Sequence, residues 1–181
     1  NYDTTNDIFF PTNGIYNNLN FTLAPESLSK DAFYKILLET DIFKNFKDSD
    51  RYIFFANNFG ITESFNSNLK TINAFSLGGS NFKGFEYRGI GPTSNGIYLG
   101  GNRYFTSTIG YGGSFLFDEK DNINLRLFYS IGSIWDSDYT TDNNFKLRSS
   151  AGISLDFLSQ VGPISLSYAI PLQKEIKDIS R

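Results

Sequence analysis

Seven segments of this chain alternate between apolar and polar residues with a period of two, and that repetition limits the fold more than any other feature. The clearest run sets Ile123, Leu125, Leu127, Tyr129 and Ile131 against Asn124, Arg126, Phe128, Ser130 and Gly132. Successive side chains of a strand point to opposite faces, so each such run describes a strand with one apolar face. The predicted strands are 15–24, 33–43, 52–61, 103–117, 123–135, 145–158 and 164–173. Only 52–61 has an ambiguous phase. Turn signals separate them: Pro25 to Lys30, Asp48-Ser49-Asp50, Asp118 to Asn122 and Val161-Gly162-Pro163. No stretch reads as a helix of substance. The fold class is therefore all-β and antiparallel.

Two architectures give this alternation: a soluble sandwich with its grease inside, and a membrane barrel with its grease outside. In three of the strands an almost unbroken apolar stripe opposes small, polar or charged residues, Arg126, Arg148 and Asp156 among them. Charges in that position suit a water-filled lumen, which tilts the reading toward a transmembrane barrel. No run is long and apolar enough for a membrane helix, but barrel strands escape that test. The chain has no initiating Met and no signal-like segment, and it reads as a piece of something longer. Seven strands would form an incomplete half-barrel with two open edges, which predicts aggregation when the piece is expressed alone.

Between strands lies 62–102, whose later part, Leu77 to Asn102, is too rich in glycine for a strand or helix. Phe82, Phe85, Tyr87, Ile90, Ile97 and Tyr98 punctuate it. A solvated linker has no use for those side chains, so the stretch reads as a loop that folds back into the protein.

Composition removes several classes of function. There is no Cys, hence no disulfide framework or thiolate metal site, and no His, the commonest general base. A formal charge of −3 offers no basic field for nucleic acid. Glu39 with Asp41, and Asp136 with Asp138, read as solvated or ion-paired rather than catalytic. Asp118 to Asn122 resembles a metal loop only on a generous reading. The glycine-rich stretch lacks the strand and helix that flank a phosphate-binding loop. Trp135 fits an interfacial aromatic belt. A Ser-Lys nucleophile is not formally excluded. The reading is of a non-enzyme with no cofactor and no metal.

An ordered set of short words carries a family resemblance. Phe9-Phe10-Pro11-Thr12-Asn13-Gly14 comes first, then Leu77-Gly78-Gly79-Ser80 and Phe82-Lys83-Gly84-Phe85. Ile90-Gly91-Pro92 and Gly100-Gly101-Asn102 follow, then Gly132-Ser133-Ile134-Trp135-Asp136. Ser150-Ala151-Gly152-Ile153, Gly162-Pro163 and Ser167-Tyr168-Ala169-Ile170-Pro171 close the series. In this order they resemble the C-terminal half of the barrel in the BamA family of outer-membrane β-barrel assembly proteins (bacterial surface antigens), over essentially the whole chain. The resemblance implies a Gram-negative outer-membrane location and a sixteen-stranded barrel preceded by periplasmic POTRA domains. The strands here would be the ninth to fifteenth, with the last beginning just past Arg181. It implies folding and insertion of nascent outer-membrane proteins, with lipoprotein partners reached through the upstream domains and with outer-membrane lipid around the wall. A related translocation-and-assembly or two-partner-secretion barrel is the alternative, and a passive porin or barrel enzyme a more distant one.

The resemblance also makes Leu77 to Asn102 the loop that re-enters the lumen, with Lys83, Gly84 and Phe85 at its tip and turns at Gly78, Gly79, Gly91, Pro92, Gly100 and Gly101. Phe128 and Ser130 are its implied strand partners. The family usually has Arg at the position of Lys83 and an acidic residue at that of Ser130. Lysine lacks the planar fork of arginine, and a buried ammonium needs an acceptor. Lys83 is accordingly expected to enter the lumen and bond Ser130, backbone carbonyls or a carboxylate such as Asp156 or Glu39.

Overall fold

The computed structural model describes residues 1–27, 31–47, 49–113, 123–160 and 162–180. The strands are β1 (Tyr2–Asp3), β2 (Gly14–Ala24), β3 (Phe33–Asn45), β4 (Tyr52–Ser64), β5 (Thr93–Ser94), β6 (Ile97–Tyr98), β7 (Arg103–Gly113), β8 (Ile123–Trp135), β9 (Arg148–Ser159) and β10 (Gly162–Gln173). Eight form one antiparallel sheet in the order β1-β2-β3-β4-β7-β8-β9-β10, while β5 and β6 pair only with each other. The sheet is a simple meander whose one long excursion, 65–102, leaves β4 and returns as β7. Its end strands do not meet, so it is unclosed.

The seven expected strands correspond to β2, β3, β4, β7, β8, β9 and β10. Two elements were not expected: the short β1, and the β5–β6 hairpin. Asn95 and Gly96 turn that hairpin with φ of 51° and 77°, as a two-residue turn matching the twist of its strands requires. The β9 strand begins at Arg148 and not at 145. Phe145 leaves the ladder to stack on Phe105 at 5.9 Å and meet Trp135 edge-on at 5.1 Å. β4 runs on to Ser64, so the excursion starts later than 62. The end of the expected 103–117 strand and the turn at 118–122, with its metal-loop reading, lie outside the described residues. So do 28–30, 48, 161 and 181 of the other expected turns and the tail.

The two faces of the sheet differ in kind. Leu19, Phe21, Leu38, Phe59, Leu127, Leu166 and Tyr168 all point to the outer face and are exposed. Thr106, Asn124, Ser130, Arg148, Ser150, Ser154 and Asp156 point inward and are buried. A soluble sandwich would cover the first set. Here nothing among the described residues does, and the arrangement is that of a barrel wall with apolar residues outward. β4 explains its own ambiguity: Tyr52 and Phe54 are buried on the inner face, while Ile53, Phe55 and Phe59 are exposed on the outer. Both sides are apolar, so periodicity cannot choose.

Rings on the inner wall lie over glycines of the neighbouring strand. Tyr52 pairs with Gly112, Phe54 with Gly110, Tyr104 with Gly60 and Phe128 with Gly152. A β-carbon at Gly110 would overlap the Phe54 ring, and one at Gly60 the Tyr104 ring. Gly110 and Gly112 of β7 are sockets for aromatic side chains. Phe43, Tyr52, Phe54 and Phe128 together form an inner cluster borne entirely by strands.

Candidate functional site

The excursion between β4 and β7 is tied down at both feet by one carboxylate. Asp138 accepts the Leu69 N–H at 2.6 Å through Oδ2 and the Asn102 side-chain amide at 3.0 Å through Oδ1. Phe75 and Gly101 then exchange two backbone hydrogen bonds of 2.9 and 3.1 Å, and Leu77 bridges to Ile90. These bonds narrow the loop into a neck. Phe75, Leu77, Phe82, Phe85 and Ile90 are buried around Ile134 of β8, with Leu37 of β3 and Tyr104 of β7 against them. Burial of that many large side chains, each worth roughly 1.5–3 kcal/mol, is what keeps the loop inside.

Its tip turns through left-handed backbone. Gly78 has φ of 119°, and a β-carbon there would overlap the Glu86 carbonyl oxygen. Asn81 closes the turn, accepting the Gly78 N–H at 2.9 Å and donating to the Ser76 carbonyl at 3.0 Å. Gly84 has φ of 95° and would place a β-carbon 3.1 Å from that of Ser150 and 3.4 Å from the Pro171 nitrogen. The tip therefore lies directly on β9 and β10, where only glycine fits without displacement. Phe82 and Phe85 stack at 5.4 Å and 19°.

Lys83 points into a cavity of about 150 Å³ lined by Phe54, Thr108, Arg126, Phe128, Ser130 and Ser154 among others. Its Nζ donates to Ser154 Oγ at 3.4 Å and stands 5.2 Å from the centre of the Phe128 ring. Ser154 in turn donates to Asp156 Oδ1 at 3.2 Å, and Asp156 holds Arg126 at 2.7 and 2.6 Å. Burial pushes the Lys83 ammonium below the ordinary lysine range. The nearby Arg126 charge adds to that, while Asp156 opposes it.

The predicted site residues fall as follows. Lys83, Gly84 and Phe85 are seated on the inner wall, and Phe128 meets the Lys83 ammonium. Ser130 lines the same cavity but does not receive Lys83. It is the direct cross-strand partner of Thr108, and their hydroxyls bond at 2.8 Å. The acceptor lies one strand further on, Ser154 of β9, with Asp156 behind it. Glu39 borders a different cavity, beside Asp41 and Tyr16. Gly78, Gly79, Gly91 and Gly100 all take positive φ. Gly101 is outside that positive-φ set, and a β-carbon there would overlap the Trp135 carbonyl oxygen of β8. Pro92 accepts the Leu99 N–H at 3.0 Å and closes the base of the β5–β6 hairpin.

Sequence reasoning missed Asp138, Ser154 and the pair Arg148 and Asp178, which bond at 3.0 and 2.9 Å across thirty positions of chain. Only the hairpin carried a legible signal, the Asn-Gly at 95 and 96 between β-forming residues.

The Omp85 superfamily domain matches residues 1–181, the entire chain. Among solved structures, the crystal structure of BamA from Haemophilus ducreyi lacking POTRA domains 1–3 is similar, with a TM-score of 0.89 and 23% sequence identity. The match covers 99% of this chain and 39% of that one, so the chain spans well under half the length of the structure it matches. At that identity the likeness concerns the fold.

Proposed function

The chain belongs to the Omp85 superfamily, and from that premise we propose that it forms part of the wall of an outer-membrane β-barrel that folds and inserts other outer-membrane proteins. One observation carries this reading: Lys83, Gly84 and Phe85 sit on the inner wall of an unclosed sheet whose outer face is apolar. A loop filling the lumen suits a barrel whose work is done by strand edges and the surrounding bilayer more than by a permanent aqueous path. Its clients are nascent outer-membrane proteins. Lipoprotein partners are reached through domains outside this chain.

Phe85→Ala in the full-length protein, in cells that depend on it, tests the proposal. The expected result is a several-fold fall in heat-modifiable client barrels in the outer membrane while the altered protein itself remains present. Unchanged client barrels together with an open-pore conductance would assign the protein to the passive porins. Normal client barrels with lost export of a soluble substrate would assign it to the translocation-and-assembly or two-partner-secretion barrels.

A further inference from the structure

Residues 174–180, which follow β10, return to the re-entrant loop and join it. Phe85 and Ser180 form an antiparallel bridge. The Glu86 N–H donates to the Ile179 carbonyl at 3.0 Å, and the Ile179 N–H donates to the Gly89 carbonyl at 2.9 Å. The Tyr98 hydroxyl, on β6, donates to the Lys177 carbonyl. Lys177 Nζ reaches Asp142 at 3.2 Å, on the connection between β8 and β9.

Beneath these bonds lies the one fully desolvated ion pair given by the described residues. Arg148, at the start of β9, donates from Nε to Asp178 Oδ2 at 3.0 Å and from a terminal nitrogen to Oδ1 at 2.9 Å. The two side chains are 3% and 1% exposed. Asp178 Oδ2 also accepts the Glu175 N–H at 2.7 Å, which fixes the turn that brings Ile179 to the loop. Arg148 donates further to the Lys146 carbonyl at 2.8 Å. Every other ion pair given by the described residues has at least one side chain more than a quarter exposed. Two-toothed arginine–carboxylate contacts carry geometric specificity, and a buried pair is strongly damaged when only one partner is removed.

We propose that Arg148 and Asp178 are positioning residues for the re-entrant loop: they clamp residues 174–180 onto β9, and that segment in turn holds Phe85 to Gly89 through one bridge and two backbone hydrogen bonds. Loop and tail are then one body. Release of the ion pair frees the segment, and with it the tip that carries Lys83. The consequence for client assembly rests on the function proposed above, whereas the clasp rests on geometry alone.

The test uses the full-length protein in outer-membrane fractions, with no cysteine except a reporter at the buried Ile90 (Ile90→Cys), labelled by a water-soluble maleimide. Asp178→Asn is expected to raise the labelling rate about tenfold or more, with heat-modifiability reporting a closed barrel. Arg148→Lys, which keeps the charge and loses the fork, is expected to raise it by a smaller factor. Ile179→Pro removes the N–H given to Gly89 and leaves the ion pair intact. It is expected to raise labelling also, and it keeps the test open where Asp178→Asn fails to assemble. Unchanged labelling in Asp178→Asn or Ile179→Pro overturns the clasp. Raised labelling with normal client assembly sustains the clasp and counts against the role proposed for the loop.

Discussion

Two aromatic clusters line the inner wall, and they are held in place by different means. The one made of Phe43, Tyr52, Phe54 and Phe128 rides on β3, β4 and β8, where every backbone neighbour is fixed by a continuous ladder. The one made of Phe75, Leu77, Phe82, Phe85 and Ile90 rides on a loop, and only Ile134 within it belongs to a strand. The first cluster would keep its register if a ring were lost. The second supplies its own register, because side-chain burial and a few backbone bonds are all that position its chain. The same kind of side chain therefore serves as filling in one place and as an anchor in the other.

Matched truncations draw that contrast most sharply. Phe85→Ala and Phe54→Ala each remove a buried ring and are expected to cost about 3–5 kcal/mol. The first should expose the loop tip to a thiol probe, while the second should leave it protected and lower only the denaturant midpoint of the full-length barrel. Equal exposure in both variants would erase the distinction. Gly78→Ala follows, at about 1–2 kcal/mol for the left-handed backbone before any overlap with the Glu86 carbonyl is counted. Its effect should again appear as loop exposure. Tyr52→Phe is smaller. It removes the hydroxyl that accepts the Asn124 amide at 2.6 Å, about 1 kcal/mol, and is expected to shift the unfolding midpoint without exposing the loop.

Acidification gives the mildest effect. Asp142, outside the strands, is held below the ordinary carboxylate range by hydrogen bonds from Lys146 and then Lys177. Its stabilisation is present above its unfolded value and is lost as pH falls through the lower, folded one. Loop exposure should thus rise slightly below about pH 4. Asp142→Asn should abolish that rise.

The strand-borne cluster and the loop-borne one were also unequally legible. Strands announce themselves through period two, and the inner and outer faces of β8, β9 and β10 could be read residue by residue. The phase of β4 could not, since Tyr52 and Phe54 are as apolar as Ile53 and Phe55 behind them. For the loop, the mixture of glycine and aromatic residues told that it turns inward, and the family words told which residues form its tip. The Lys83 acceptor was a different matter. Ser130 bonds Thr108 across the strands, while the ammonium reaches Ser154 on the next strand. How far a tip travels across a sheet depends on the packing of Gly84 against Ser150 and Pro171, and no local pattern encodes that. Arg148 and Asp178 lacked a signal for the same reason: an isolated charge in a strand and another in a charged tail look solvated until the chain brings them together.

The rings seated over glycines have a consequence for descent. Gly110 and Phe54, Gly60 and Tyr104, and Gly152 and Phe128 each occupy a space that admits one side chain and not two. The glycine of such a pair is not free to vary alone. Among related chains, an alanine or serine at one of these glycines should therefore be accompanied by a smaller residue at the position across the ladder. Those paired changes would mark the inner wall in sequences whose outer positions have drifted freely among apolar residues.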